Sequence, residues 1–195
     1  MKKIIVILLI AMSVATYAQK TKIVQGSLKP LKGEKTIKVE FTYDNMLVGK
    51  NKTEQAYIKE KKEEYNSKEA GKGDKWEQSW NDSRAARYEP QFRELFAKHS
   101  EMTTATDNAK YTIIFHTTRT EPGFNVGVMK RPAFIDAEVL IVETQNKKNV
   151  IAKITMMNAP GSQMTGFDFD AGSRIQESYA KCGKTLAKLF TKELK

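Results

Sequence analysis

The sequence is poor in the residues that carry most chemistry at neutral pH. It holds one cysteine, Cys182, and two histidines, His99 and His116. A lone cysteine excludes an internal disulfide even in a compartment that would permit one. No Gly-x-Ser-x-Gly nucleophile elbow occurs, because Gly161-Ser162 lacks the second glycine. Arginine is scarce too, six of 33 basic residues. Lysine-dominated basicity argues against specific recognition of bases or phosphates, which favours the bidentate guanidinium, so no nucleic-acid partner is expected. Beyond residue 18, no apolar run approaches the ~20 residues of a membrane-spanning helix.

What is present begins with Lys2 and Lys3, the apolar run Ile4 to Met12, and the small, mixed stretch Ser13 to Ala18. A short positive region, an apolar segment too short to span a bilayer comfortably and an alanine at the exit match a secretory signal peptide. The expected cut follows Ala18, with Ala15 as the fallback. Residues 1–18 are therefore set aside from the fold, and the chain from Gln19 to Lys195 is expected in the periplasm or medium. No cysteine stands by the cut, so the acylation signal of bacterial lipoproteins is lacking and a soluble chain without a stable membrane anchor is expected.

The formal net charge is +10, and its placement says more than its size. Residues 19–38 carry six lysines against Glu34, and residues 173–195 carry Arg174 and five lysines against Glu177 and Glu193. The long middle is nearly neutral. Residues 19–34, lysine-rich with Pro30 and Gly33, read as a basic extended arm ahead of a single domain over 35–195.

Periodicity then sets the elements. Ile37, Val39, Phe41 and Tyr43 alternate with polar residues as in a half-buried strand over 36–44. Residues 53–67 read as a solvated helix with Tyr57, Ile58 and Tyr65 as sparse anchors. Gly71 and Gly73 break it, and Asp74 could cap a helical stretch in which Trp76 and Trp80, four apart, share a face. Pro90 suits a helix first turn, followed by Phe92, Leu95, Phe96 and His99 at three-four spacing. Strands are expected over 110–119, 133–144 and 149–157, with a turn at Glu121-Pro122-Gly123-Phe124. Ser173-Arg174-Ile175-Gln176 has capping-box spacing and is expected to open a last helix. Its apolar stripe is Ile175, Tyr179, Cys182, Leu186, Leu189 and Phe190. The expected fold is α+β: a mostly antiparallel four-stranded sheet with helices on one face, in the order β-α-α-β-β-β-α.

Candidate sites are few. His99 extends an apolar helix face and His116 lies in a strand beside Thr117 and Thr118, so both read as structural and no enzyme is expected. Asp168-Phe169-Asp170-Ala171-Gly172 starts like a calcium loop but fails at its twelfth position, Tyr179, so no metal or other cofactor is expected. Cys182 shares its face with Tyr179 and Leu186 and reads as a small packed hydrophobe. Trp76, Trp80, Phe124, Phe167 and Phe169 fall in loops or polar segments and are candidates for a partner surface if they cluster exposed. Lys181, Lys184, Lys188, Lys192, Lys195 and Arg174 fall within about 80° of arc opposite the apolar stripe. The favoured reading is the solvated side of a core-packing helix, with weak contact to an anionic surface through Lys181, Lys184 and Lys188 as the alternative.

The segment from Phe92-x-x-Leu95-Phe96 through three strands to a terminal helix rich in Lys, Ala and Leu resembles small envelope domains. These are the N-terminal domain of TolB, CsgG-like proteins and ABC-transport auxiliary lipoproteins, and the likeness covers residues 90–195. The Trp76-x-x-x-Trp80 and Glu121-Pro122-Gly123-Phe124-Asn125 segments also resemble those of uncharacterised secreted proteins of Gram-negative bacteria. The resemblance implies an envelope assembly or accessory role without catalytic residues. The expected function is therefore an exported, non-enzymatic protein that binds another envelope component. The alternative is a small-ligand-binding protein or a hydrolase of unfamiliar type, with a pocket near 120–131 and 161–170. Export makes a direct prediction: N-terminal sequencing of the protein from envelope fractions should begin at Gln19, and Met1 retained on a cytoplasmic chain would contradict it.

Overall fold

The structure is a computed structural model that describes residues 19–104, 108–126, 129–161 and 171–195. Residues 1–18, on which the signal-peptide reading falls, together with Phe167, Phe169 and the Asp168–Asp170 stretch lie outside the described residues. Strands are β1 (Lys20–Gly26), β2 (Lys38–Thr42), β3 (Leu47–Val48), β4 (Lys52–Thr53), β5 (Tyr111–Glu121), β6 (Phe124–Val126), β7 (Met129–Arg131), β8 (Phe134–Glu143) and β9 (Asn146–Pro160). Helices are α1 (Glu54–Lys68), α2 (Lys72–Ser83), α3 (Glu89–Ser100) and α4 (Ala171–Glu193).

The main sheet has seven strands rather than four, in the order β1-β9-β8-β5-β3-β4, with β2 also on β5. The expected element order is not matched either, because short strands precede α1. β1 is the largest correction. Residues 20–26 belong to the sheet and pair antiparallel with β9, Ile23 opposite Ile154. Thr21 and Ile23 alternate with exposed Lys20 and Lys22, a period-two signal that the lysines and the nearby Pro30 obscured. The second correction is direction. β2 and β3 both run parallel to β5, Val39 opposite Ile113 and Val48 opposite Thr120, so the sheet is mixed. β8 and β9 form a hairpin, its strands antiparallel and separated by Thr144 and Gln145 alone.

Alternation assigns the two faces. Val39, Ile113, Phe115, Val139, Ile141, Ala152, Ile154 and Met156 point to one side and are buried in the common core. The other side carries half-buried polar residues laced by ion pairs, Lys147–Glu40 at 2.7 Å and Lys153–Glu138 at 2.9 Å.

α1 starts where expected, with Thr53 as N-cap accepting from the Ala56 amide. α2 begins at Lys72, after Gly71 in the left-handed region, so Asp74 lies in its first turn instead of capping it. α2 then runs through a π-helical turn, Arg84–Tyr88, into α3. The cause is Pro90. It offers no N–H, and its ring would collide with the carbonyl four residues back in a regular α-helix. One widened turn, in which the Glu89 amide bonds the Arg84 carbonyl, takes up the misfit. The α4 helix starts by Ala171, so Ser173 sits inside its first turn and the expected capping box is not the helix start.

The contacts of α3 and α4 advance together along both chains, so the two helices run in the same direction. Tyr88, just before α3, stacks on Tyr179 at 4.9 Å, and Phe96 meets Phe190 edge-on at 5.2 Å. Between these, Gly183 faces Phe92. A Cβ there would lie 2.4 Å from the Phe92 carbonyl oxygen. In the stripe, Ile175, Tyr179, Cys182, Leu186 and Phe190 are buried, with Leu189 half-buried at its margin. Gly183→Ala should destabilise the protein by about 1–3 kcal/mol in chemical denaturation, even though alanine is the better helix former, because the backbones must separate. Leu186→Ala should cost ~2–5 kcal/mol as a buried truncation. A neutral or stabilising Gly183→Ala would show that the helices have room to spare.

Candidate functional site

On α1, Tyr57, Lys61 and Tyr65 recur every four residues and so share one helical face. Trp76 and Trp80 repeat that spacing on α2, and the two faces meet. Trp76 and Trp80 stack at 5.6 Å, Tyr57 lies against both at 5.8 and 5.3 Å, and Tyr65 lies 5.9 Å from Trp76. This aromatic layer is one wall of a cleft of about 190 Å³. The opposite wall is the turn between β5 and β6, with Glu121, Gly123 and Phe124, closed at one end by Ala171 and Arg174 of α4.

The turn is held from behind. Gly123 has φ +65°, as its position after Pro122 demands. Arg174 is 2% exposed and donates through Nε to the Pro122 carbonyl at 3.1 Å and through Nη2 to the Gly123 carbonyl at 3.4 Å. It therefore does not belong to the exposed basic arc of α4. Glu121 is also buried. It accepts from the Gly123 amide at 3.3 Å and pairs with Arg131 at 3.4 Å. Lys61 brings a cation to the mouth, paired with Glu64 at 2.7 Å and 5.7 Å from the Tyr65 ring centre. The cleft thus offers ring surface flanked by ammonium and carboxylate groups.

The sequence-predicted residues divide. Trp76 and Phe124 line this cleft. Trp76 and Trp80 are only 4% and 7% exposed, so they do not form an exposed patch with Phe124. Trp80 lies behind the wall and donates its indole N–H to Glu54 at 2.7 Å, and Arg84 also binds Glu54. That Arg84 guanidinium covers the Tyr43 ring at 4.1 Å. Phe167 and Phe169 lie outside the described residues. Tyr57, Lys61, Tyr65 and Arg174 were missed by sequence reasoning, whereas Glu121 falls in the 120–131 stretch of the alternative pocket. The every-fourth-residue spacing from Tyr57 to Tyr65 was the available signal, read as anchoring only.

The remaining reactive types lie elsewhere. The ring of His116 on β5 meets the Asp44 carbonyl at 2.8 Å. Cys182 is fully buried, and burial pushes its thiol well above the usual range. Among the described residues, no cluster of histidine, cysteine and carboxylate side chains could hold a metal ion, and no helix is long and apolar enough to cross a membrane.

Arg174→Ala removes both tethers of the turn and leaves two buried carbonyls without their donor. It should cost ~2–4 kcal/mol and speed amide exchange at Gly123 and Phe124. Unchanged exchange there would show that the turn stands without α4.

No protein-family model matches the sequence, and no curated protein matches it. Among solved structures, it is similar to the PelC dodecamer of Paraburkholderia phytofirmans, at 12% identity over 84% of this chain and 96% of that one, with a TM-score of 0.38. A single-substitution variant of that PelC dodecamer gives 11% identity, 84% and 97% coverage and a TM-score of 0.37. A Xanthomonas campestris protein of family DUF330 gives 11% identity, 80% and 82% coverage and a TM-score of 0.38. Scores this low carry neither a shared fold nor a shared function. Neither the TolB nor the CsgG-like resemblance finds support in these comparisons.

Proposed function

We propose that this chain is exported and acts in the cell envelope as a non-enzymatic protein that binds another envelope component, holding one projecting group of it in the cleft between α1–α2 and the Glu121–Phe124 turn. The observation that carries the reading is the cleft itself: an aromatic wall of Tyr57, Tyr65 and Trp76 facing Phe124, with Lys61 and Glu121 beside it. Export rests on Lys2, Lys3, the apolar run from Ile4 and Ala18. At about 190 Å³ the cleft is smaller than the roughly 300–1,000 Å³ of typical small-molecule pockets and suits one side chain of a larger partner. Among the described residues its lining includes no histidine, serine or cysteine, the residue types of the commonest nucleophile–base pairs.

A second reading, a small-ligand binder or a hydrolase of unfamiliar type, is favoured by the titratable Lys61 and Glu121 in the same lining. One set of variants separates the two. The exported protein, immobilised, should retain a discrete component of envelope extract. Phe124→Ser with Lys61→Ala should reduce that retention at least ten-fold without moving the denaturation midpoint by more than about 1 kcal/mol equivalent. Retention indifferent to these substitutions would sink the reading. Hydrolysis of a chromogenic ester abolished by Glu121→Gln would favour the second.

A further inference from the structure

Lysines are treated differently on the two helical layers. On α1 and α2 most are matched: Lys61 binds Glu64 at 2.7 Å, Lys62 binds Asp74 and Glu77 at 2.9 and 2.7 Å, Lys68 binds Glu64 at 2.7 Å, and Lys72 binds Glu69 at 3.0 Å, with only Lys59 and Lys75 unpaired among the described residues. On the outer side of α3 and α4 the pattern reverses. Lys98, Lys181 and Lys188 are exposed and Lys184 half-exposed, and among the described residues none has a carboxylate within ion-pair distance. Glu94 and Glu177, each one turn from a lysine of this set, form no ion pair with it.

The parallel packing of the two helices joins these charges into one face. Thr191 of α4 donates to the His99 carbonyl at 3.3 Å, pinning the end of α3 to the lysine-bearing turns of α4. Lys184, Lys98 and Lys188 all act on the His99 ring, and together with partial desolvation, the larger effect, they lower its affinity for a proton. Lys32 adds a further cation at the end of α4 through the Lys195 carbonyl at 3.2 Å. The exposed large hydrophobic residues of the described chain, Val24, Val150 and Met157, all lie on β1 and β9, so the α3–α4 face carries none of them.

We infer that the outer face of α3 and α4, carrying Lys98, Lys181, Lys184 and Lys188, docks peripherally on the anionic headgroups of a lipid bilayer. Two observations favour a bilayer over an acidic protein. The face is built from lysines, point charges suited to a diffuse layer of phosphates rather than to shaped carboxylate recognition. It lacks the exposed aromatic or arginine anchors that protein interfaces concentrate. Lys20 and Lys22 do not add to this face, since their register opposite Met157 and Thr155 turns them to the other side of the sheet.

The test uses the protein purified after export, with sedimentation against phosphatidylglycerol-containing vesicles and against pure phosphatidylcholine vesicles. Binding to the anionic vesicles alone is expected, weakened as salt screens the charges. Each removed lysine should weaken it about five-fold, so Lys98→Gln with Lys184→Gln and Lys188→Gln should weaken it about a hundred-fold. Changing the matched Lys62, Lys68 and Lys72 to Gln removes the same net charge and should change binding less than about three-fold. The cleft variants Phe124→Ser and Lys61→Ala should leave vesicle binding unchanged, which separates this inference from the proposed binding function. Equal loss in both triple variants, equal binding to neutral vesicles, or tight binding of soluble poly-glutamate with none to vesicles would each overturn it, the last in favour of an acidic protein partner.

Discussion

The backbone of α4 approaches that of α3 so closely at Gly183 that no side chain fits between them, and the rest of the molecule is arranged around that approach. A Cβ at Gly183 would stand 2.4 Å from the Phe92 carbonyl oxygen. Glycine inside a helix costs about 1 kcal/mol relative to alanine, so its presence mid-helix has to be offset by packing. The offset is visible on both sides of it. Tyr88 and Tyr179 stack above, Phe96 and Phe190 meet below, and Phe115 of the sheet contacts Phe92 at 4.8 Å and Tyr179 at 5.8 Å. Tyr179 keeps its hydroxyl satisfied by Thr117 at 2.7 Å, and complete burial, with Tyr43 as a secondary influence, holds it protonated far above its ordinary range.

From this fixed pair the cleft and the lysine face both follow. The first turn of α4 carries Arg174 inward to the Glu121–Phe124 turn, which fixes one wall of the cleft. The later turns of α4 lie beside the end of α3 and gather lysines on the side away from the sheet. The π-turn before Pro90 serves the same geometry from the other direction, because it lets α2 continue into α3 while setting Trp76 and Trp80 against α1. One helix thus closes a small aromatic cleft at its start and presents unpaired lysines along its outer side.

Much of this was legible in the sequence where a single physical signal dominated. The apolar stripe of α4, the alternation of β2 and β5, the long apolar run of β8, the Thr53-started helix and the glycine in the 121–124 turn all follow from spacing, apolar content or backbone freedom. What was not legible depended on partners distant in the chain. Residues 20–26 look like a charged arm until β9 supplies an edge for them to pair with. The parallel direction of β2 and β3 is a matter of topology that no local pattern encodes. Arg174 falls on the basic arc of a helical projection, yet carbonyls some fifty residues away draw it into the interior. Trp76 and Trp80 share a face of a polar helical stretch and read as candidates for an exposed partner surface, whereas the matching four-residue spacing of Tyr57, Lys61 and Tyr65 on α1 provides the surface that buries them. The site was therefore half visible: Trp76 and Phe124 by their chemistry, and their convergence only through the fold.

The central claim, that α3, α4 and the sheet behave as one locked unit on which both surfaces depend, is most directly tested by native-state hydrogen exchange across a denaturant series. Amides of α3 around Phe92, of α4 around Gly183 and Leu186, and of β5 around Phe115 should merge into a single opening whose free energy equals that of global unfolding. If α4 opens at distinctly lower free energy than β5 while the sheet stays protected, the two helices are not the frame of the molecule and the account fails.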